Sequence, residues 1–326
     1  MEYRRLGHSG LQVSALSLGS WITVAGRLGR GETRNLVAQA FDAGINLFDN
    51  AENYAHGQAE SLMGDVLADL RLPRDAFCVT SKAFFGAVPD PRPTQRGLSR
   101  KHLREACDAA LRRLRVDYLD LFLCHRPDPD TPIEETVAAM DHLVRQGKVL
   151  YWGTSEWPAE AIVAAARIAR AHGMAAPATE QAQYNLLHRE RVESEYAGLY
   201  PELGLGLMAW SPLASGLLSG KYADGAVPEG SRLARQDHGW RPGMMYGQAR
   251  HAREEAVQRF IAIAHERALA PATLAIAWCL ANPRVSSVIL GCSSVQQLQQ
   301  NLDAVALAAR LDAALLARLN ALDADG

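Results

Sequence analysis

The feature that most limits what this chain can fold into is a repeated alternation. Eight short apolar segments recur along it: residues 15–18, 45–48, 77–81, 118–124, 149–154, 177–181, 205–210 and 286–290. Longer stretches with helical spacing separate them. Near-continuous apolar runs of this length suit strands buried on both faces of a parallel sheet. The clearest helix is predicted from Pro132 to Gln146, where Ile133, Val137, Met140 and Val144 fall on one face. Thr131 is its expected cap, Pro132 its first residue and Glu134 the partner in a capping box. Leu103, Cys107, Ala110, Leu111 and Leu114 mark a second helix, and Pro158 and Pro271 open two more. The stretch from Tyr3 to Val13 reads as a small hairpin, and residues 311–322 as a terminal helix.

Strands alternating with helices build either an open doubly wound sheet or a closed barrel. The open sheet concentrates its ligand at one switch point, whereas the barrel uses most of its strand ends on one face. Nearly every apolar segment here ends in polar or small residues: Gly19 and Ser20, Asp49, Lys82, His125, Ser155, Gln181, Ser211 and Gly291. That distribution predicts a (β/α)8 barrel. Most segment ends are about 30 residues apart, the length of one βα unit. The last gap is longer. Residues 216–250, rich in Gly, Arg and Pro, read as an irregular insertion after the seventh strand, of the kind that binds or covers a ligand. The whole of residues 1–326 is expected to form one domain.

Bulk properties narrow the function. The 326 residues carry a formal net charge of −2, which gives no reason to expect nucleic acid or an anionic membrane as a partner. No apolar run reaches the roughly 20 residues of a membrane span, and the N-terminus has no apolar signal core, so a cytoplasmic protein is expected. Cys78, Cys107, Cys124, Cys279 and Cys292 are scattered and odd in number, which fits reduced core thiols. No HExxH and no zinc-type spacing is present, and no metal is expected. Gly204, Gly206 and Ala209 fit a loose dinucleotide fingerprint, but they precede a strand where that motif must follow one.

Four polar residues belong together. Asp49 and Lys82 close the second and third apolar segments, His125 closes the fourth, and Tyr54 follows Asp49 in the adjoining loop. A phenol is a weak acid near pH 7. A neighbouring ammonium from Lys82 is expected to lower its pKa, Asp49 to hold that ammonium, and His125 to orient the group that receives the proton. Such a set protonates an oxygen that gains charge when hydride attacks a carbonyl. Phe84, Phe85, Trp21 and Trp157, with Tyr54 and His125, are candidate walls of an apolar substrate pocket; Trp240 in the insertion is a further candidate.

At this point the sequence resembles the aldo-keto reductases, and most closely the branch that holds the potassium-channel β-subunits and their bacterial reductase relatives. The segments FDNAENYAHGQAE, DYLDLFLCHRPDP, WGTSEW, EQAQYNLLHR, AWSPLASGLLSGKY and GCSSVQQLQQNL carry the resemblance, which spans nearly the whole chain. It implies a catalytic tetrad of Asp49, Tyr54, Lys82 and His125, and NADP(H) bound extended without a Rossmann domain. Ser20, Trp21 and Asp49 would then lie beside the cofactor, and Ser155 and Gln181 would hold the nicotinamide carboxamide. Trp210, Ser211, Pro212, Leu213, Ala214 and Gly216 would run along the nicotinamide and pyrophosphate. Lys221 and Arg232 would clamp phosphates. Gly291, Ser293, Gln297, Gln300 and Asn301 would meet the adenosine-phosphate end.

Chemistry independent of the resemblance agrees with the last group. Barrels often bind phosphate at a helix start after the eighth strand, and Lys221 and Arg232 add charge-assisted bonds that favour NADP(H) over NAD(H). Three positions depart from the channel-subunit pattern: His125 where those proteins carry Asn, Glu156 where they carry Arg, and Gln300 in place of an acidic residue. The expected activity is reduction of a small carbonyl substrate, and the resemblance to often-oligomeric relatives allows a homo-oligomer. A redox-sensing NADP(H)-binding subunit with low turnover is the main alternative. A barrel hydrolase or isomerase using Asp49 and Glu52 is a weaker one.

Overall fold

The structure is a computed structural model that describes residues 1–21, 28–222, 227–229, 231, 234 and 250–322. Eight parallel strands close into a barrel: β3 (Leu16–Gly19), β4 (Leu47–Asp49), β5 (Cys78–Ala83), β6 (Leu119–Cys124), β7 (Val149–Ser155), β8 (Thr179–Gln183), β9 (Gly206–Trp210) and β10 (Val285–Leu290). Each pairs with its sequence neighbour, and β10 closes on β3 through Ile289 opposite Ser17 and Leu290 opposite Leu18. All eight apolar segments read from the sequence are these strands. Because the strands are parallel, all their C-terminal ends share one face.

Helices cover the barrel: α1 (Arg30–Asp42), α2 (Gln58–Leu70), α3 (Arg100–Leu114), α4 (Ile133–Arg145), α5 (Ala159–Ala171), α6 (Leu199–Leu203), α7 (Arg250–Glu266), α8 (Pro271–Ala281), α9 (Val295–Ala308) and α10 (Ala313–Asn320). The main core lies between barrel and helices, with Phe48, Val79, Trp152, Phe260 and Ile276 among its fully buried members. Burying one such side chain stabilises the fold by roughly 1.5–3 kcal/mol. The predicted face of α3 is in that core, with Leu103, Cys107, Ala110 and Leu114 at 5% exposure or less and Leu111 half-buried. The five cysteines are free and buried. Glycine sets one close approach: Gly64 brings α2 against α3, where an added Cβ would lie 2.3 Å from the Arg113 carbonyl oxygen.

The predicted cap of α4 is corrected. Pro132 is the cap residue, not the first helical one, and no side chain caps the helix. Thr131 is drawn off by Asp128, to which its hydroxyl donates at 2.7 Å. Glu134 completes no capping box, and neighbouring Glu135 accepts instead from the Arg100 N–H at the start of α3.

The N-terminal hairpin plugs the barrel from below. β1 (Tyr3–Arg5) and β2 (Gln12–Ser14) pair antiparallel. Leu6 and Val13 then pack inside the barrel against Leu47, Cys78, Leu121, Met208 and Ile289. Gly7 and Gly204 both take positive φ, and the His8 N–H donates to the Gly204 carbonyl at 2.8 Å. The rejected glycine motif therefore marks where the hairpin turn meets the entry to β9. With the lower interior filled by apolar side chains, polar groups collect at the upper end.

The insertion after β9 is described only in part. Arg232 and Trp240 lie outside the described residues. No single helix among those described is long and apolar enough to cross a membrane.

Candidate active site

Strand alternation delivers the site. Along β5, Cys78, Thr80 and Lys82 face the barrel interior while Val79 and Ser81 face the helices, where the Ser81 hydroxyl donates to Glu60 of α2. On β4, Leu47 and Asp49 face inward on either side of Phe48. The Asp49 and Lys82 side chains consequently meet above the plugged interior. Lys82 is fully buried and its Nζ donates to Asp49 Oδ2 at 2.7 Å, to the Asn50 carbonyl at 2.8 Å and to the Tyr54 hydroxyl at 3.2 Å. Asp49 Oδ1 also accepts from the Thr80 hydroxyl at 2.7 Å and from Gln181 Nε2 at 3.0 Å. Every donor of the ammonium is used, which is what a buried charge requires.

Tyr54 reaches this ammonium from a tight loop. Ala55, His56 and Gly57 all take left-handed φ values directly after it. For the two residues with a Cβ this conformation is strained, and such strain persists where surrounding structure imposes it. Glu52 supplies part of that surround. Its Oε1 accepts from the Phe84 and Gly86 N–H groups at 2.8 Å each and lies 3.1 Å from His102 Nε2. Glu52 thus ties the Tyr54 loop to the loop after β5. Asp49 and Glu52 are both buried and accept hydrogen bonds from internal donors.

His125 sits edge-on to Tyr54, with ring centroids 5.9 Å apart, and Phe85 sits edge-on to His125 at 5.2 Å. Trp21 lies 6.3 Å from Tyr54 and 6.3 Å from Trp210. The tetrad residues and three aromatics therefore converge on one mouth. Phe84 is half-buried and packs on the core, while Phe85 is 39% exposed. Trp157 does not join them. It is 3% exposed within the main core cluster, behind the β7 end, and its backbone carbonyl accepts from the Tyr196 hydroxyl.

Electrostatics corrects one expectation. The Tyr54 hydroxyl is held above its ordinary pKa, because burial outweighs the lowering by Lys82. Asp49 adds to the rise. Tyr54 is accordingly a neutral phenol with its proton at physiological pH. Burial pulls the Lys82 ammonium down, but Asp49 and then Tyr54 raise it by more in total, so it stays charged. His125 is pushed well below the usual histidine range by burial, then by Lys82 and Arg126, which makes it a neutral imidazole. Its Nδ1 is buried with no hydrogen-bond partner.

The structure places the remaining sequence candidates around the same end. Ser155 closes β7 and Gln181 is in register beside it on β8. Ser20 follows β3, with a buried hydroxyl that has no partner. After β9, Ser211, Ala214, Ser215 and Gly216 all take positive φ in a turn closed by its own N–H groups: Ala214 donates to the Ser211 carbonyl, Ser215 to the Ser211 hydroxyl and Gly216 to the Leu213 carbonyl. Pro212 and Leu213 lie within it. An added Cβ at Gly216 would come within 2.8 Å of Lys221 Nζ, and no carboxylate pairs with Lys221 among the described residues. The orphaned Ser20 hydroxyl fits a polar group of a nicotinamide, and Lys221 beside the turn fits a phosphate. After β10, Gly291 is exposed, and the Ser293 N–H and hydroxyl both lie 3.0 Å from Gln297 Oε1. The Gln300 side chain is exposed, whereas Asn301 is buried with its amide on Cys292 at 3.3 Å.

Arg126 had no part in the sequence expectation for the site, and Glu156 entered it only as a departure from the channel-subunit pattern. Arg126 lies between His125 and Ser155, and its Nη1 donates to the His125 carbonyl and, at 3.4 Å, to the Ser155 hydroxyl. Its position next to His125 in LFLCHRP was the available signal. Glu156, with a left-handed φ of 58°, accepts from the Trp210 indole at 2.8 Å, the Gln183 N–H at 2.6 Å and Arg191 at 2.7 Å. No sequence signal shows that one carboxylate joins three elements.

The comparisons with known proteins agree with this arrangement. Residues 15–324 match the family model described as the aldo/keto reductase family. A probable voltage-gated potassium channel subunit beta of Arabidopsis thaliana is 44% identical over 309 residues, covering 94% of this chain and 91% of that protein. A protein of the same name from Oryza sativa subsp. japonica is 44% identical over 305 residues, with the same two shares covered. With the family model matching nearly the whole closed barrel, the chain belongs to the aldo/keto reductase family.

Proposed function

We propose that this chain is an NADP(H)-dependent carbonyl reductase, active as one catalytic unit over residues 1–326 in the cytoplasm. The observation that carries the reading is the buried Lys82 ammonium, shared between Asp49 at 2.7 Å and Tyr54 at 3.2 Å at the barrel mouth. When bound, NADPH supplies the hydride that reduces the carbonyl carbon. Tyr54 donates its proton to the carbonyl oxygen as charge develops there. Lys82 stabilises the phenolate left behind, and Asp49 keeps that ammonium in place. His125, uncharged, orients the carbonyl oxygen by hydrogen bonding and withholds a competing charge. Ser20, Trp21, Ser155, Gln181 and Trp210 would hold the nicotinamide end, the Ser211–Gly216 turn would line the cofactor, and Lys221 would hold phosphate.

Tyr54→Phe removes the proton and leaves the ring. Turnover of an aldehyde should fall by about 10²–10⁴-fold, while NADPH affinity, measured by fluorescence titration, stays close to that of the unsubstituted chain. Loss of NADPH binding with preserved turnover per bound enzyme would overturn the assignment.

The names of the two plant relatives favour a second reading, a redox-sensing subunit that binds NADP(H) and regulates a partner. The complete tetrad, His125 included, supports turnover instead. Steady-state rates on a panel of aldehydes, set against copurification of a partner protein, separate the two.

A further inference from the structure

The charges around the mouth are nearly all paired. Asp49 neutralises Lys82. Glu52 lies against His102, and Glu156 holds Arg191. Asp128 is taken by the Leu98 N–H, the Asp130 N–H and the Thr131 hydroxyl. Arg126 is left over: no carboxylate lies within ion-pair distance of it among the described residues. Its guanidinium is nonetheless held in place. Nη1 is anchored on the His125 carbonyl and the Ser155 hydroxyl, and the guanidinium carbon lies 5.7 Å from the centroid of the Phe85 ring. The other nitrogens have no partner among the described residues. The field of Arg126 reaches both Tyr54 and His125, where it disfavours positive charge and favours negative. A half-buried, fixed cation without a counterion beside a reactive hydroxyl is an unfilled anion site. A planar guanidinium with two free donor directions matches a carboxylate in particular.

We infer that Arg126 binds the carboxylate of the substrate, and that the preferred substrates are carbonyl compounds carrying a carboxylate a few bonds from the carbonyl. This rests on the reductase reading above. The carbonyl oxygen lies at Tyr54 and His125, the body of the substrate along Phe85, and the carboxylate on the outer nitrogens of Arg126. Lys221, which has no carboxylate partner among the described residues, sits beyond β9 beside Gly216 and is left for phosphate. The fixed position of Arg126 costs the complex little further ordering, so the interaction contributes directly to affinity.

The test compares 4-carboxybenzaldehyde with its neutral methyl ester, methyl 4-formylbenzoate, as substrates with NADPH. The unsubstituted chain should show a higher kcat/KM for the acid, carried by KM. In Arg126→Leu the acid-to-ester ratio of kcat/KM should fall by about 10- to 150-fold, the range for a hydrogen bond to a charged group. Arg126→Lys should recover part of the ratio, and it serves as the informative variant if the leucine protein does not fold. Calorimetric titration with terephthalate adds a readout without turnover: binding should be seen with the unsubstituted chain and be lost in Arg126→Leu. No preference for the acid in the unsubstituted chain, or an unchanged ratio in the variants, would overturn the inference. So would a weakened NADP⁺ affinity in Arg126→Leu at unchanged ratio, which would assign the cation to the cofactor. If the unsubstituted chain reduces neither aldehyde, the reductase reading fails, and the terephthalate titration alone decides whether Arg126 is a carboxylate site.

Discussion

Replacing Asp49 with asparagine isolates the interaction on which the site depends. The substitution keeps the shape and leaves an oxygen to accept from Thr80 and Gln181, but it removes the only carboxylate among the described residues within ion-pair distance of the buried Lys82. Breaking a buried pair from one side costs about 3–5 kcal/mol, because the remaining charge stays desolvated. For a chain of this length the entropy of unfolding is about 0.7 kcal/mol per degree, so the midpoint should drop by about 4–7 °C at pH 7. The sign of the pH dependence is distinctive. With Asp49 present the Lys82 pKa lies above its ordinary value, and the pair's contribution is lost only as pH rises through that raised value. Without Asp49 burial dominates and pulls the Lys82 pKa below its unfolded value. The unfolded chain then holds the proton more tightly than the folded one, so the variant regains stability as pH rises toward about 10. Thermal unfolding of both proteins from pH 6 to 9.5 checks this, and Asp49→Asn combined with Lys82→Met should be less destabilised than Asp49→Asn alone. An equal midpoint for Asp49→Asn and the unsubstituted chain at every pH would refute the claim that the carboxylate compensates the ammonium.

Other outcomes follow from the same electrostatics and packing. Glu180 is buried beneath Thr154 and Tyr196 and its carboxyl is pushed up to about 8, chiefly by burial. A folded pKa raised above the unfolded value means stability falls as pH climbs from about 4.5 to 8, at up to about 1.4 kcal/mol per pH unit; Glu180→Gln should flatten that slope in urea denaturation series. Glu156→Ala removes the acceptor of the Trp210 indole, and it should raise KM more than it lowers kcat; in a Trp210→Phe background the same change should add little, a coupling read from a double-mutant cycle. Gly64→Ala forces a Cβ to 2.3 Å from the Arg113 carbonyl and should destabilise by about 1–3 kcal/mol, measured as a denaturation midpoint. Because His125 is held well below the usual histidine range, the pH profile of kcat should lack a histidine step near 6.5.

The state of Tyr54 shows how competing effects settle the chemistry. A lysine beside a phenol suggests an easily formed phenolate, and the sequence alone supports that expectation. In the folded chain the desolvation of the buried hydroxyl exceeds the attraction of the ammonium, and the Asp49 charge opposes it further. The site therefore stores the proton in the resting state and uses Lys82 to ease its departure as negative charge grows on the acceptor. The two effects act on different states of the reaction and do not conflict.

The sequence by itself determined the barrel and its polar end. Eight segments with one apolar rhythm leave few ways to bury every strand on both faces, and Asp49, Lys82, His125, Ser155 and Gln181 sit at segment ends because period-2 alternation and parallel direction put them there. What only the tertiary structure decided is which of these groups touch and in what charge state. The cap of α4 went to Pro132 because Asp128, three residues before the expected Thr131 cap, competes for that hydroxyl. Trp157 is a core side chain whose backbone carbonyl accepts from the Tyr196 hydroxyl, 39 residues away. Arg126 and Glu156 acquired their places at the mouth through partners 29 and 54 residues away. Local patterns report burial and direction, which depend on near neighbours in the chain. The Asp128–Thr131 competition lies within one short window, but the pairing and desolvation of Lys82, Asp49, Glu156 and Arg126 depend on groups brought together by the closing of the barrel.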